Sequence, residues 1–159
     1  MHTRWMIRRD MVEVLQIENL SFKMPWSEED FVKVLRQRRS VGRVVEIDEK
    51  VAGYMIYNLN KNHFEILNFA VHPDYRRQGV AEKMINHLKD KLTIERRRSI
   101  FLKVADFNLD MQLFLRSQGM RAVGVKDNHY DDDSSAYTFR YHMIAESPVN
   151  ECLDMYTAA

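Results

Sequence analysis

The stretch VHPDYRRQGVAEKMINHL, residues 71–88, changes character at its centre. An apolar run, HFEILNFAV at 63–71, stops just short of Pro73. Arg76, Arg77, Gln78 and Gly79 follow, and then Val80, Met84, Leu88 and Leu92 recur every four residues, with Ala81 and Ile85 beside them. That period is the apolar stripe of a packed helix, whereas Phe69, Ala70 and Val71 leave no polar face and belong to a central strand. A strand that runs into a helix presents unpaired N–H groups and the positive end of the helix dipole, which together favour an anion. Gly79 lets backbone approach a ligand without a Cβ in the way, and Arg76 and Arg77 add charge-assisted contacts. The same four residues also fit a plain strand-to-helix turn with two solvated arginines.

On the N-terminal side, MVEVLQIENLSF (11–22) carries Met11, Val14, Leu15 and Glu18 at helical spacing, with Asp10 placed to cap it. In PWSEEDFVKVL (25–35), Ser27 stands three residues before Asp30 as a capping box, and Phe31, Val34 and Leu35 form the stripe of a second helix. VGRVVEID (41–48) and KVAGYMIYNL (50–59) read as a hairpin turning at Asp48–Lys50. On the other side, SIFLKVA (99–105) is a central strand and NLDMQLFLRSQG (108–119) a helix that Asp106 or Asn108 caps and Gly119 ends. MRAVGVKDNHY (120–130) and SAYTFRYHMI (135–144) close the chain as strands around the acidic loop DDDSS. This order predicts a single α/β (α+β) domain over residues 1–147, with one mixed, mostly antiparallel sheet of about six to seven strands flanked by helices. Residues 148–159 have no pattern and read as a loosely held tail.

Composition narrows the function. Of 159 residues, 45% are hydrophobic and 30% charged, and the formal net charge is +1. That suits a globular domain, and its weak overall field does not suit dedicated nucleic-acid binding. Cys152 is the single cysteine, which excludes an intrachain disulfide and a zinc site built on several thiolates, and the histidines lack metal-ligand spacing. No signal peptide and no apolar run near roughly 18 residues is present, so a cytoplasmic protein without membrane or metal is expected. Neither G-x-x-x-x-G-K-[ST] nor G-x-G-x-x-G occurs, which leaves nucleotide hydrolysis and nicotinamide chemistry without their signatures.

Arg76-Arg77-Gln78-Gly79-Val80-Ala81 matches the [RQ]-x-x-G-x-[GA] signature of the GCN5-related N-acetyltransferases (GNAT), in its context of strand before and long helix after. From about residue 6 to 144 the chain resembles that superfamily, most of all the bacterial ribosomal-protein-alanine acetyltransferases of the RimI type. MPWSEEDF looks like their substrate-side helix, and NLDMQLFLRSQGM like their segment from asparagine to glycine. The resemblance implies acetyl-coenzyme A as cosubstrate and a primary amine, a protein N-terminal α-amine, as acceptor. It implies pyrophosphate binding by the backbone of Arg77, Gln78, Gly79, Val80 and Ala81, with Arg76 beside them. The strand Phe69, Ala70, Val71 would hold the pantetheine arm through main-chain bonds of Phe69 and Val71, and Asn108 would touch it from the next crossover. A monomer or a homodimer fits equally.

The same resemblance places a glutamate base at position 103 and a tyrosine acid at 115, where this chain has Lys103 and Leu115. Lys103 is either a desolvated lysine with a role in the site or one that extends its charge to water. Glu65, at the start of the strand leading to Phe69, is the candidate base through a water. Tyr130, or Tyr137 across the loop, is the candidate acid or positioning group, and His129 is either a base or a surface residue. DDDSS either draws a basic peptide or polyamine or is a solvated loop, and ERRRS (95–99) either touches phosphate or is a solvated turn. These readings leave three functions: an N-terminal acetyltransferase, an acyl-coenzyme A-binding module without catalysis, and a small-amine acetyltransferase.

Overall fold

The computed structural model describes residues 1–143. Ile144, Cys152 and the 148–159 tail lie outside them. Seven strands form one sheet in the order β1-β2-β3-β4-β5-β7-β6. They are β1 His2–Trp5, β2 Ser40–Ile47, β3 Lys50–Leu59, β4 His63–Val71, β5 Ser99–Ala105, β6 Arg121–Lys126 and β7 Ala136–His142. β4 and β5 pair in parallel, and every other neighbour is antiparallel. The mixed, mostly antiparallel sheet is as expected. β1 is an addition, because four residues of mixed character show no period.

Helices α1 (Met11–Ser21) and α2 (Glu28–Leu35) cover β2–β4 on one side, where Val14, Ile17 and Phe31 pack on Val44, Tyr54, Ile56 and Ala70. Helices α3 (Val80–Lys89) and α4 (Leu109–Ser117) cover the other side, with Val80, Met84, Ile85, Leu88 and Leu115 on Met55, Phe64, Phe69 and Leu102. The predicted stripe of α3 is thus the buried one. Beyond β4 no helix among the described residues covers the first face, so within them Phe101, Lys103, Thr138 and Arg140 stand on an open floor.

Local chemistry sets the ends. Ser27 and Asp30 exchange bonds as a capping box (Asp30 N–H to Ser27 Oγ 3.2 Å, Ser27 N–H to Asp30 Oδ2 2.9 Å). Asn108 rather than Asp106 caps α4, accepting from Met111 N–H at 3.3 Å, and Gly119 ends it at φ +83°. Asp10 does not cap α1. Its carboxylate takes both guanidinium arms of Arg4 (2.7 and 2.9 Å) and Ile7 N–H (2.8 Å), at 3% exposure. Burial alone would raise this carboxyl, yet those bonds outweigh it and hold the group below the usual range. The β2–β3 hairpin turns on Asp48 and Glu49, both at positive φ.

Two details of β4 shape the ligand-facing end of the sheet. Its register against β3 slips between Ile66 and Asn68, which makes Leu67 a bulge and turns Leu67 and Asn68 to the same face. Its pairing with β5 covers only His63–Ile66 against Ser99–Leu102, so the strands part beyond that point.

Candidate active site

Parting exposes the far edge of β4. His72 N–H bonds Ala52 O across β3, and the alternation of an antiparallel ladder then gives Ala70 to β3 and aims the polar groups of Phe69 and Val71 into the gap. Two of these four groups are occupied by the chain itself. Phe69 N–H donates to Asn68 Oδ1 at 2.9 Å, and Val71 O accepts from Arg76 Nε at 3.1 Å. No turn or side-chain bond among the described residues engages Phe69 O or Val71 N–H. Ala70 differs from its neighbours: its backbone faces β3 and its side chain lies in the α1–α2 core, so it lines the groove as wall.

At the end of β4, Pro73–Tyr75 makes a short 3-10 turn, Arg77 takes φ +61° and Gly79 φ +84°, and α3 begins at Val80. Left-handed backbone at a non-glycine is a strained choice that turns successive N–H groups inward, as anion seats do. A Cβ on Gly79 would meet nothing within 4 Å, so the cradle is open above it. Arg76, besides bonding Val71 O, reaches Ser21 Oγ at 3.4 Å and so ties the turn to α1. The Gln78 side chain plays a structural part. It donates back to Asp74 O at 3.1 Å and braces the turn, leaving only its backbone for a ligand.

A groove of about 770 Å³ runs from this turn past Phe69, Val71 and Ala81 to Asn108, Met111 and Phe114. It meets a second cavity of about 350 Å³, and Phe69, Asn108 and Met111 line both. The second cavity has Glu18 and Asn68 on one wall, Lys103 and Ala105 on another, and Tyr130 across from the α1–α2 loop. Lys23 of that loop pairs with Asp132 of the β6–β7 loop at 3.3 Å, tying the two together. Tyr130 is half-buried, and burial together with Asp106 and Asp132 pushes its hydroxyl above the ordinary value. Tyr137 instead packs against the main core, and His129 lies edge-on to Tyr130 with ring centres 4.8 Å apart.

Lys103 is exposed, so the desolvated-lysine reading does not hold. Leu115 is 0% exposed in the core and faces no ligand. Glu65 lines a third depression, about 580 Å³, with Phe101, Thr138 and Arg140, and is not in the wall of the Tyr130 cavity. Among the described residues, only Leu102 and Lys103 belong to both. Within DDDSS, Asp132 bonds Ser134 N–H, Ser134 Oγ and Lys23, which closes the loop on itself. The ERRRS turn lies at the far end of α3 from the cradle, where Arg97 bonds Asn60 O at 2.7 Å.

Glu18 is the residue that periodicity concealed, because it keeps step with an apolar stripe. At 1% exposure its carboxylate accepts from Trp26 N–H (2.8 Å), Asn68 Nδ2 (2.9 Å) and the Tyr54 hydroxyl. Burial raises its pKa, against the pull of those donors. One carboxylate thereby joins α1, the α1–α2 loop, β3 and the β4 bulge at the wall of the second cavity.

A parted parallel strand pair, a left-handed turn at a helix start and two cavities meeting end to end are the features of this site. The chain belongs to the Acetyltransferase (GNAT) family, which matches residues 11–120, more than two thirds of its length. It is similar to the [ribosomal protein bS18]-alanine N-acetyltransferase of Escherichia coli K12, with 26% identity over 76% of this chain and 81% of that one. A Bacillus subtilis (strain 168) protein provisionally given the same name is 28% identical over 78% of this chain and 83% of its own. Among solved structures, the E. coli ribosomal-protein-S18-alanine N-acetyltransferase superposes with TM-score 0.80 at 23% identity, covering 92% of this chain and 96% of that one. Ard1 from Thermoplasma volcanium gives TM-score 0.82 at 21% identity, covering 91% and 98%.

Proposed function

We propose that the protein transfers acetyl from acetyl-coenzyme A to a primary amine, the α-amine of a protein N-terminus, by direct attack while both substrates are bound. The meeting of the two cavities at Phe69, Asn108 and Met111 carries this reading, since it puts donor and acceptor spaces in contact. The backbone of Arg77 to Ala81 holds the pyrophosphate, and Arg76 and Arg77 balance its charge. Phe69 O and Val71 N–H bond the amides of the pantetheine arm, and Asn108 closes the groove over it. Tyr130, kept protonated by burial, donates to the departing thiolate. Glu65 takes the ammonium proton through water, because it sits one depression away, beyond Lys103. The names of the bacterial relatives support a ribosomal-protein N-terminus as acceptor and a cytoplasmic setting.

A binding module without turnover is the second reading, favoured by Leu115 in the core and Lys103 in place of a carboxylate. The small-amine alternative rests on the acidic loop, whose Asp132 is already engaged. Thiol release from acetyl-coenzyme A, followed over N-terminal peptides and small amines, separates the three. We expect turnover on peptides, with Glu65→Gln and Tyr130→Phe each lowering kcat by roughly a hundredfold. Tight coenzyme binding with no turnover on any acceptor would overturn the proposal in favour of the second reading.

A further inference from the structure

The acceptor cavity does not end at Lys103. That residue and Leu102 also line the depression on the open floor of β4, β5 and β7, so a chain leaving the cavity runs onto that floor. With the Lys23–Asp132 pair joining the loops on the opposite side, the floor is the broad way out. The charge there is one-sided. Lys103, Arg140 and Arg98 line the depression, and among the described residues lining it Glu65 is the only carboxylate. Arg121 of β6 stands directly opposite Arg140 of β7 in register, a like-charge pair that costs a sheet stability. None of these four cations has a carboxylate partner among the described residues. The whole chain carries only +1, so this patch is not a by-product of a basic protein.

Resting on the acetyl-transfer reading, we infer that the acceptor is a polypeptide with acidic residues directly behind its N-terminal residue, read by Lys103, Arg140 and Arg98 on the open sheet floor. The spacing fits. Alternate residues of an extended chain repeat at about 6.6 Å, the interval at which the Lys103, Phe101 and Ser99 levels succeed one another along β5. A peptide laid along the strand therefore presents alternate side chains to successive cationic levels, Lys103 first and Arg140 beside Phe101 next. Phe101, edge-on to His63 at 5.1 Å, supplies an apolar step between them.

The test uses the full chain, acetyl-coenzyme A and peptides that share one N-terminal residue and length. They carry Asp or Glu, neutral residues, or Lys or Arg at the next three positions. Thiol release gives kcat/KM, and fluorescence anisotropy of the same peptides, labelled at their C-termini, gives affinity for the coenzyme-loaded protein. The expected result is a preference for acidic over basic peptides on the order of tenfold, shrinking as salt is raised. Arg140→Glu should abolish or reverse that preference, with Arg140→Gln intermediate. Equal or better use of basic peptides overturns the inference while leaving acetyl transfer intact. Absence of turnover overturns acetyl transfer, and anisotropy then still decides whether the floor selects acidic chains. Affinity for a short single-stranded oligonucleotide with no charge preference among peptides would assign the patch to RNA and overturn the inference.

Discussion

Gly79 and Glu18 show how much of this site rests on single side chains, one absent and one buried. Gly79 holds φ +84° beneath an open cradle, so an alanine there meets no clash but must adopt left-handed backbone. Gly79→Ala should cost about 1 kcal/mol in stability and weaken coenzyme A binding more than that, as read by thermal melts and titration calorimetry. Glu18 acts through protonation. Its folded pKa is raised above the ordinary value of 4.5, so the unfolded chain releases this proton first. Its contribution to stability is fully present below 4.5 and is lost as pH rises through the folded pKa. Glu18→Gln should lower stability throughout, because its NH₂ faces donors, and should flatten that slope in urea midpoints taken across the range.

At the scale of elements, the decisive contacts are between β3, β4 and α3. A Cβ on Gly53 would lie 2.9 Å from Val80 Cγ1 and 3.0 Å from Ala70 O, so α3 rests on β3 only because that position is bare. Gly53→Ala should therefore push the first turn of α3 outward, costing about 1–3 kcal/mol and raising the KM for acetyl-coenzyme A while α1 and α2 stay in place. In the sequence Gly53 is one residue of a strand, since closeness to a helix leaves no trace in local period. The α3 stripe, the Ser27–Asp30 box and the hairpin at Asp48 were legible because each obeys a local rule. The bulge at Leu67 was not, because register is a property of two strands. Glu18 was visible but read as a stripe member that happened to carry charge.

For the whole molecule, a second group adds a pH response opposite in sign to that of Glu18. His87 on α3 has a buried Nε2 with no partner among the described residues, and burial, then Arg43 and Lys91, push its pKa down to about 4, against a smaller opposing pull from Asp90. The unfolded chain takes up this proton below 6.5 while the folded one does not, so stability is full above 6.5 and falls as pH drops toward about 4. Glu18 acts in the opposite sense over the same window, so the His87 effect is read as a difference: on going from pH 6.5 toward 4, thermal midpoints of the wild type should fall relative to those of His87→Gln. The elements from α1 onward and the mixed, mostly antiparallel character of the sheet were readable from the sequence alone, as was the turn from β4 into α3, because they are written in short consecutive runs; β1 was not, having no period of its own. The acceptor side was harder to read, since Glu18, Asn68, Lys103 and Tyr130 come from four distant segments and only folding collects them. The brief β4–β5 pairing has a last consequence. The molecule is built as two leaves sharing a spine of His63–Ile66 and Ser99–Leu102, so the β5–β7–β6 leaf can breathe without melting its neighbour. A ligand lying in the opening stitches the leaves together, and backbone amides of β5 and β7 should exchange with solvent deuterium more slowly once coenzyme A is added, with β2 and β3 little changed.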